Sequence, residues 1–183
     1  MLGGDNLTDG IFSRAKLTST GFRRAKLTRA KFDEAELAFT RFEEADLSGA
    51  DLSKAVGWKA NFARANLTDA NLSRADLSRA IFVEAKIVGA NFSKSEVDRA
   101  DFSRADLTGA NLSKAEAARA VFTDAKLSGV RFSYTDLARA NLKRLDLGGA
   151  DFAGAYLFLT HLDGADLSRA VGLTQDQLSL ERF

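Results

Sequence analysis

The chain has 183 residues, 45% of them hydrophobic, and a formal net charge of +1, which is an ordinary balance for one globular domain. The absence of cysteine excludes disulfides, thiolate zinc sites and cysteine nucleophiles, and the near-zero charge gives no general attraction to nucleic acid. Residues 1–10 lack the segments of a signal peptide, and no apolar run reaches the ~20 residues of a membrane span. We therefore expect a cytoplasmic protein without a membrane partner.

A five-residue period runs through the sequence from Leu7 to Leu167. Of the 33 residues at this spacing, 18 are Leu, 11 are Phe, and only Gly57 lacks an apolar side chain. A second column, two residues earlier, is Ala at 24 of 33 positions. In an α-helix, side chains at this spacing would point to all faces. In a long strand they would point alternately to one face and the other. A short extended segment followed by a corner keeps both columns inward, so each pentapeptide is predicted to form one side of a coil.

The distribution of Phe indicates how many sides a coil has. Phe never occurs in the columns Leu7–Leu167 and Leu17–Leu157, so it is confined to every second side and the number of sides is even. Two sides could not enclose a core. A period of twenty residues appears in an acidic ladder and a row of arginines: Asp76, Glu96, Glu116, Asp136, and Arg79, Arg99, Arg119, Arg139. Four sides per coil and roughly eight coils are therefore predicted.

Three positions depart from the repeat. At Gly57, which lacks a core side chain, we expect either a bulge or a cover formed by Val56 or Trp58. Leu145 and Val130 stand in the column of small residues, where space inside the coil is limited. Both are expected to distort the coil locally.

The runs AKLTRAKFDEAEL, ANLTDANLSRADLSRA and ADFSRADLTGANLSKA resemble the pentapeptide-repeat family with its A(D/N)LXX motif. The resemblance covers residues 5–170. It implies an all-β fold, a right-handed quadrilateral β-helix. We expect residues 1–170 to form this solenoid and residues 171–183 to form a C-terminal capping helix.

The sequence of the predicted cap contains the signals of a helix start. Thr174 and Gln177 match a capping box, and Leu173 and Leu178 match a hydrophobic staple. Because an exposed strand edge invites aggregation, we expect Leu178 and Phe183 to cover the last coil.

No catalytic, cofactor or metal site is predicted. The single histidine, His161, stands in an outward position, and Ser and Thr recur at one repeat position, where hydrogen bonding at the corners explains them. No phosphate-binding loop, dinucleotide fingerprint or metal-ligand cluster occurs. Because Leu, Phe and Ala fill the interior, no pocket is expected, and the protein is predicted not to be an enzyme.

The side centred on Phe12 to Phe152 carries an uncompensated basic strip. It consists of five residues: Lys54, Arg74, Lys94, Lys114 and Arg131. The acidic residues of this side lie only at its ends: Asp33, Glu34, Asp51 and Asp151. The strip is a candidate docking surface for an acidic protein, and the alternative is a merely solvated face.

A second candidate surface is apolar and lies near the C-terminal cap. Tyr156, Phe158 and Leu159 occupy outward positions there. Exposed aromatic patches often mark interfaces. Either the capping helix, with Leu178 and Phe183, folds over this patch or a second chain covers it. Some pentapeptide-repeat proteins dimerise through their C-terminal ends, so the resemblance implies a C-terminal homodimer.

Two functions follow from these features. A rigid scaffold for protein–protein interaction needs only flat sides and local surface features. The alternative, implied by the quinolone-resistance proteins of the family, is a DNA mimic that binds a bacterial type II topoisomerase. Duplex DNA carries one charge per ~1.7 Å, so such a mimic needs on the order of twenty uncompensated acids. With 25 acidic and 26 basic residues the chain disfavours this role. Direct nucleic-acid binding is disfavoured too, because no aromatic residue interleaves the short basic strip.

Overall fold

The structure is a computed structural model that describes residues 2–179. Bridge residues pair in parallel with residues twenty positions further on, from Asn6 with Lys26 to Asp151 with Val171. A coil of the structure therefore takes twenty residues. Every pentapeptide contributes one bridge residue and one turn, so a coil has four sides. Within residues 2–179 no strand exceeds a single bridge residue, because a corner follows each one.

We name the four sides after the core residues that they carry in one coil. Phe22 lies on side A, Leu27 on side B, Phe32 on side C and Leu37 on side D, together with every twentieth residue from each. On each side the core residue and the residue two positions earlier are inward, and the residue between them is the outward slot. The next two residues form the corner to the following side.

Most corners are β-turns closed by one backbone hydrogen bond, as where Ala105 N–H donates to Phe102 O at 3.0 Å. The second corner residue has a positive φ, for example 58° at Arg104. This left-handed conformation favours glycine and costs other residues roughly 1–2 kcal/mol. Charged residues nevertheless occupy most corners, because the ladders on both sides of the turn hold the backbone there.

The core of side A is a continuous stack of phenylalanine rings. The rings of Phe62, Phe82, Phe102 and Phe122 are fully buried. Their centroids lie 5.0, 4.8 and 5.1 Å apart, with interplanar angles of 3° or 4°. The inward assignment of Phe is therefore confirmed, and the rise from one coil to the next is about 5 Å, the usual spacing of paired strands.

The prediction of a bulge at Gly57, or of a cover by Val56 or Trp58, is wrong. Gly57 keeps the register, since its N–H donates to Asp76 O at 2.7 Å. A Cβ at this position would lie only 2.9 Å from Leu77 Cδ2. Leu77 of the next coil therefore fills the space, and Val56 stays 48% exposed.

The distortion predicted at Leu145 is confirmed. Within residues 2–179 one bridge is missing from the ladders, the one between Lys126 and Asp146. Leu145 is buried where most coils carry Ala, and its extra volume keeps the two coils apart. The distortion predicted at Val130 does not occur, because Val130 O still accepts from Asp151 N–H at 2.9 Å. The opened ladder forms a cleft of about 250 Å³ lined by Thr108, Ala125, Lys126, Leu127, Ser128 and Asp146.

One helix, α1 (Gln175–Ser179), follows the solenoid. The predicted capping box is present, because Thr174 N–H donates to Gln177 Oε1 at 2.8 Å and Gln177 N–H donates to Thr174 Oγ1 at 3.3 Å. No helix within residues 2–179 has the length and apolar character needed to cross a membrane.

The cap lies over the end of side C. Gln177 Nε2 donates to the carbonyl oxygens of Phe152 and Ala155, at 3.0 and 2.8 Å. Leu178 is half-buried against the core. Phe183, the other residue predicted to cover the last coil, lies outside the described residues.

Candidate protein-interaction surface

The structure brings four of the five predicted basic residues into one row. Lys54, Arg74, Lys94 and Lys114 are the second corner residues between sides C and D in successive coils, and all four are exposed. Arg131 is set apart from them, because it occupies the outward slot of side C.

Lys54 is not part of an uncompensated strip, so the prediction is wrong for this residue. Its Nζ lies 3.0 Å from Glu34 Oε1, and Arg14 approaches the same carboxylate at 2.9 Å. Hydrogen bonds from Lys54 and Arg14 hold the pKa of Glu34 below its ordinary value. Glu34, which was predicted to lie at the end of the strip, stands in the same row, one coil before Lys54.

The remaining three cations of this corner, Arg74, Lys94 and Lys114, are called here the basic row. No carboxylate of residues 2–179 lies within 4.0 Å of any of them. Lys114 Nζ instead lies 5.8 Å from the centroid of the Tyr134 ring. Neighbouring cations one coil apart repel each other, so the row carries an internal electrostatic cost.

Directly beside the basic row, the outward slots of side C hold only uncharged polar residues, and Asp51 and Arg131 stand at the two ends. These slots hold a ladder in which Asn71 Nδ2 donates to Asp51 at 3.1 Å, and Asn91 and Asn111 each donate to the preceding Asn at 3.3 Å. Each Asn Oδ1 also accepts the N–H of a corner serine: Ser73, Ser93 and Ser113. The amides are therefore used to hold the turns, and they leave a flat surface.

The opposite edge of side C is the corner between sides B and C, and glycine occupies it in four successive coils. These glycines have positive φ values between 67° and 73°: Gly89, Gly109, Gly129 and Gly149. Asp69 stands one coil earlier on this corner, and its carboxylate lies over Gly89. From Gly89 to Gly149 the second corner position therefore carries no side chain, while Val88, Thr108 and Ser128 occupy the first corner position beside it.

Side D carries the acidic ladder, whose members are Asp76, Glu96, Glu116 and Asp136. The arginine row Arg79, Arg99, Arg119 and Arg139 forms no ion pairs with this ladder, since no Lys or Arg nitrogen of residues 2–179 lies within 4.0 Å of these carboxylates. Arg99 and Arg119 approach Asp98 instead, at 3.4 and 3.9 Å. Burial, together with the charges of Asp76 and Glu116, raises the pKa of Glu96.

The apolar patch near the C-terminus is exposed. Tyr156 and Phe158 are 50% and 36% exposed, with ring centroids 6.1 Å apart, and Leu159 beside them is half-buried. The described part of the cap lies over the end of side C, where Gln177 donates to the carbonyl oxygens of Phe152 and Ala155, and Tyr156 and Phe158 stay exposed. The C-terminal homodimer stays a prediction.

Tyr134 is a further exposed aromatic residue near this patch that the sequence analysis missed. It is 66% exposed, and its ring packs on the next corner at Gly154, 2.7 Å from where a Cβ would stand. The signal was available, because Gly154 follows Tyr134 by one coil and leaves room for the ring.

The single histidine lies on the surface, as predicted from the sequence. His161 is exposed in an outward slot of side A, paired through its backbone with Asn141. Within residues 2–179 no group of three or more His, Asp or Glu side chains could hold a metal ion.

The twenty-residue coils and their pentapeptide sides define a β-solenoid repeat protein. The family described as pentapeptide repeats matches the sequence in eight copies over residues 22–56, 60–96, 100–137 and 135–171. The chain belongs to the pentapeptide repeat family. No curated protein matches it.

Several solved pentapeptide repeat structures are similar to this chain. Trypsin-treated QnrB1, a plasmid-mediated fluoroquinolone resistance protein, is 18% identical with a TM-score of 0.50, over 97% of this chain and 93% of that one. HetL, involved in heterocyst differentiation regulation in the cyanobacterium Nostoc sp. strain PCC 7120, is 26% identical with a TM-score of 0.39, over 91% of this chain and 89% of that one. The similarity to QnrB1 concerns the fold alone.

Proposed function

We propose that this protein is a right-handed, four-sided rod that acts as a non-catalytic scaffold, and that the basic row docks an acidic surface of a partner protein. One observation carries the proposal. Arg74, Lys94 and Lys114 are exposed cations of successive coils with no carboxylate of residues 2–179 within 4.0 Å. A row that is ion-paired within the chain is already neutralised, whereas this one can still attract a partner.

The rigidity of the rod supports this role. The basic row lies on coils whose core is the continuous phenylalanine stack around Phe82 and Phe102. A surface that is already ordered loses little conformational entropy on binding. Charge complementarity on such a surface mainly contributes specificity and a fast association rate.

The acidic ladder bears on the alternative function, a DNA mimic for a topoisomerase. The chain has 26 basic against 25 acidic residues, and the four carboxylates run beside the arginines Arg79, Arg99, Arg119 and Arg139, so side D lacks the net negative charge that a mimic needs. We therefore expect purified protein to leave DNA gyrase supercoiling unchanged, with or without a quinolone. Inhibition or drug protection at low micromolar protein would favour the mimic.

The scaffold proposal is tested by comparing two charge-matched variants. R74Q/K94Q/K114Q removes the basic row, and K26Q/K86Q/K126Q removes three exposed lysines from the slots of side B. Each variant loses three positive charges, so a difference between them reports the row and not the net charge. Proteins captured from cell extract by the full chain are quantified for wild type and both variants.

We expect at least one captured protein to be retained by wild type and K26Q/K86Q/K126Q and lost by R74Q/K94Q/K114Q, with loss of capture at high salt. Capture that survives removal of the row would contradict the proposal. Equal loss in both variants would also contradict it, because net charge alone would then explain binding.

A further inference from the structure

The spacing of the basic row limits which partner element can fit it. Arg74, Lys94 and Lys114 lie on three successive coils. In the same coils the stacked rings of side A are separated by 4.8 to 5.1 Å. The row therefore repeats at about 5 Å, and its three positions span about 10 Å along the rod.

An α-helix places side chains at nearly this interval. Residues i, i+4 and i+7 lie on one face of a helix, and at 1.5 Å per residue they span about 10.5 Å. The same three charges on one face of an extended strand would span about 13 Å, because alternate residues are ~6.7 Å apart. Three acidic residues on a helix can therefore meet all three cations at once, whereas those of a strand run out of register by about 3 Å.

The shape of side C also suits a helix. The second corner residues Gly89, Gly109 and Gly129 carry no side chain, and Ser93 and Ser113 are small and half-buried. A helix of about 10 Å diameter can lie along such a surface without a groove to receive it.

Electrostatics assigns the partner to side C and not to side D. The acidic ladder begins at Asp76, two residues after Arg74, and runs along side D parallel to the basic row. An acidic helix that approached from side D would face this ladder, whereas side C offers the neutral ladder of Asn71, Asn91 and Asn111.

We infer that the partner element is an α-helix that carries acidic side chains at i, i+3 or i+4, and i+7, and that lies along side C parallel to the axis of the rod. This inference rests on the proposed function, because it specifies the acidic surface that the basic row docks. The spacing of the acidic residues can be varied in a peptide without changing the amino-acid composition of the peptide.

The test uses synthetic helical peptides as probes of the full chain. One peptide, built on alanine and glutamine, carries three Glu at i, i+4 and i+7. Its isomer of identical composition carries them at i, i+2 and i+5, which spreads them around the helix. Circular dichroism checks that both are equally helical. Binding at low salt is measured by ¹⁵N–¹H NMR titration of wild type, R74Q/K94Q/K114Q and K26Q/K86Q/K126Q.

We expect the striped peptide to bind wild type about tenfold more tightly than the isomer, in line with three exposed ion pairs. Shift changes should be confined to the backbone around Arg74, Lys94 and Lys114 and to side C. The preference should be lost in R74Q/K94Q/K114Q and retained in K26Q/K86Q/K126Q.

The outcomes separate the inference from the proposed function. If both peptides bind wild type equally and both depend on the basic row, the helix is wrong while acidic docking stands. If neither peptide distinguishes wild type from R74Q/K94Q/K114Q, both ideas fail. A short DNA duplex that binds through the row more tightly than the striped peptide at the same salt would replace the acidic helix by nucleic acid.

Discussion

Two rows of corner residues, at diagonally opposite corners of the solenoid, differ in the arrangement of their charges: one alternates in sign and the other is only positive. The row between sides A and B, called here the AB row, alternates in sign through Arg24, Glu44, Arg64, Glu84 and Arg104. Glu44 is 2.7 Å from Arg24 and 3.2 Å from Arg64, and Glu84 is 2.9 Å from Arg104. The residues of the basic row are also second corner residues, but no carboxylate of residues 2–179 lies within 4.0 Å of them. The AB row is satisfied within the chain, and the basic row is left for a partner.

The backbone does not cause this difference. Arg64 of the AB row and Arg74 of the basic row have φ values of 58° and 59°. The twenty-residue period brings corner residues of successive coils together wherever they occur. Whether a row is neutralised or charged therefore depends only on which residue types recur at that period.

The largest expected effect tests whether the two rows share one core. Phe102→Ala on side A and Phe92→Ala on side C should each lower the free energy of unfolding by about 3–5 kcal/mol, because each ring is fully buried. Urea denaturation measures both. A loss below ~1 kcal/mol for one side only would mean that the coils are not equally packed, and that the rows differ in their support as well as in charge.

A smaller effect is expected where the AB row is interrupted. At Leu145 the ladder opens, and the next pair of the row, Asp124 and Arg144, forms no ion pair. Leu145→Ala should close the ladder and slow hydrogen exchange of the Leu127 and Asp146 amides about tenfold, since both lack a backbone acceptor in the described residues. Val130→Ala serves as the matched control, because the ladder at Val130 is intact. Unchanged exchange in Leu145→Ala would mean that the side chain is not what separates the coils.

Removing a single charge should change the free energy of unfolding in opposite directions in the two rows. Glu84→Gln removes the partner of Arg104 and should lower stability, whereas Lys94→Gln relieves repulsion within the basic row and should raise it. Each change should be about 0.2–1 kcal/mol and should shrink in high salt. Thermal denaturation at low and high salt measures them. The same sign for both substitutions would show that the basic row is compensated in solution.

The smallest effect concerns pH. Hydrogen bonds from Arg24, Arg23 and Arg64 lower the pKa of Glu44 to about 2, so its stabilising contribution is present above the ordinary value of 4.5 and is lost as the pH falls toward 2. Glu96 has a raised pKa, so its charge weakens the fold, and stability rises as the pH falls through that pKa.

Urea midpoints as a function of pH check both signs. Glu44→Gln should remove part of the loss of stability between pH 4.5 and about 2. Glu96→Gln should raise stability at neutral pH and leave it nearly unchanged in acid. An increase in stability for Glu44→Gln at neutral pH would contradict the ion-paired AB row.

The repeat itself could be predicted from the sequence, because a five-residue period that never slips leaves one arrangement of inward and outward residues. The distortion at Leu145 followed from the volume of its side chain, whereas the same argument failed at Val130, whose smaller side chain leaves the ladder intact. Gly57 was interpreted wrongly because Leu77, one coil further on, fills its space, and a single repeat does not show its neighbour in the stack. The pairing of Lys54 with Glu34 was missed for the same reason, since it depends on rotamers twenty residues apart. The position of the basic row could be predicted from the sequence. That no carboxylate lies within 4.0 Å of it could be seen only from the distances in the structure.

Zero-length carbodiimide crosslinking, which joins a lysine amine directly to a carboxylate, tests the docking of an acidic partner most directly. Three internal controls are present: Lys54–Glu34 at 3.0 Å, Lys143–Asp163 at 3.0 Å and Lys126–Asp106 at 3.5 Å. We predict that Lys94 and Lys114 crosslink to Asp or Glu of the captured partner, while the control lysines crosslink within the chain. Crosslinks from Lys94 and Lys114 only to carboxylates of their own chain, in the presence of a bound partner, would contradict the account.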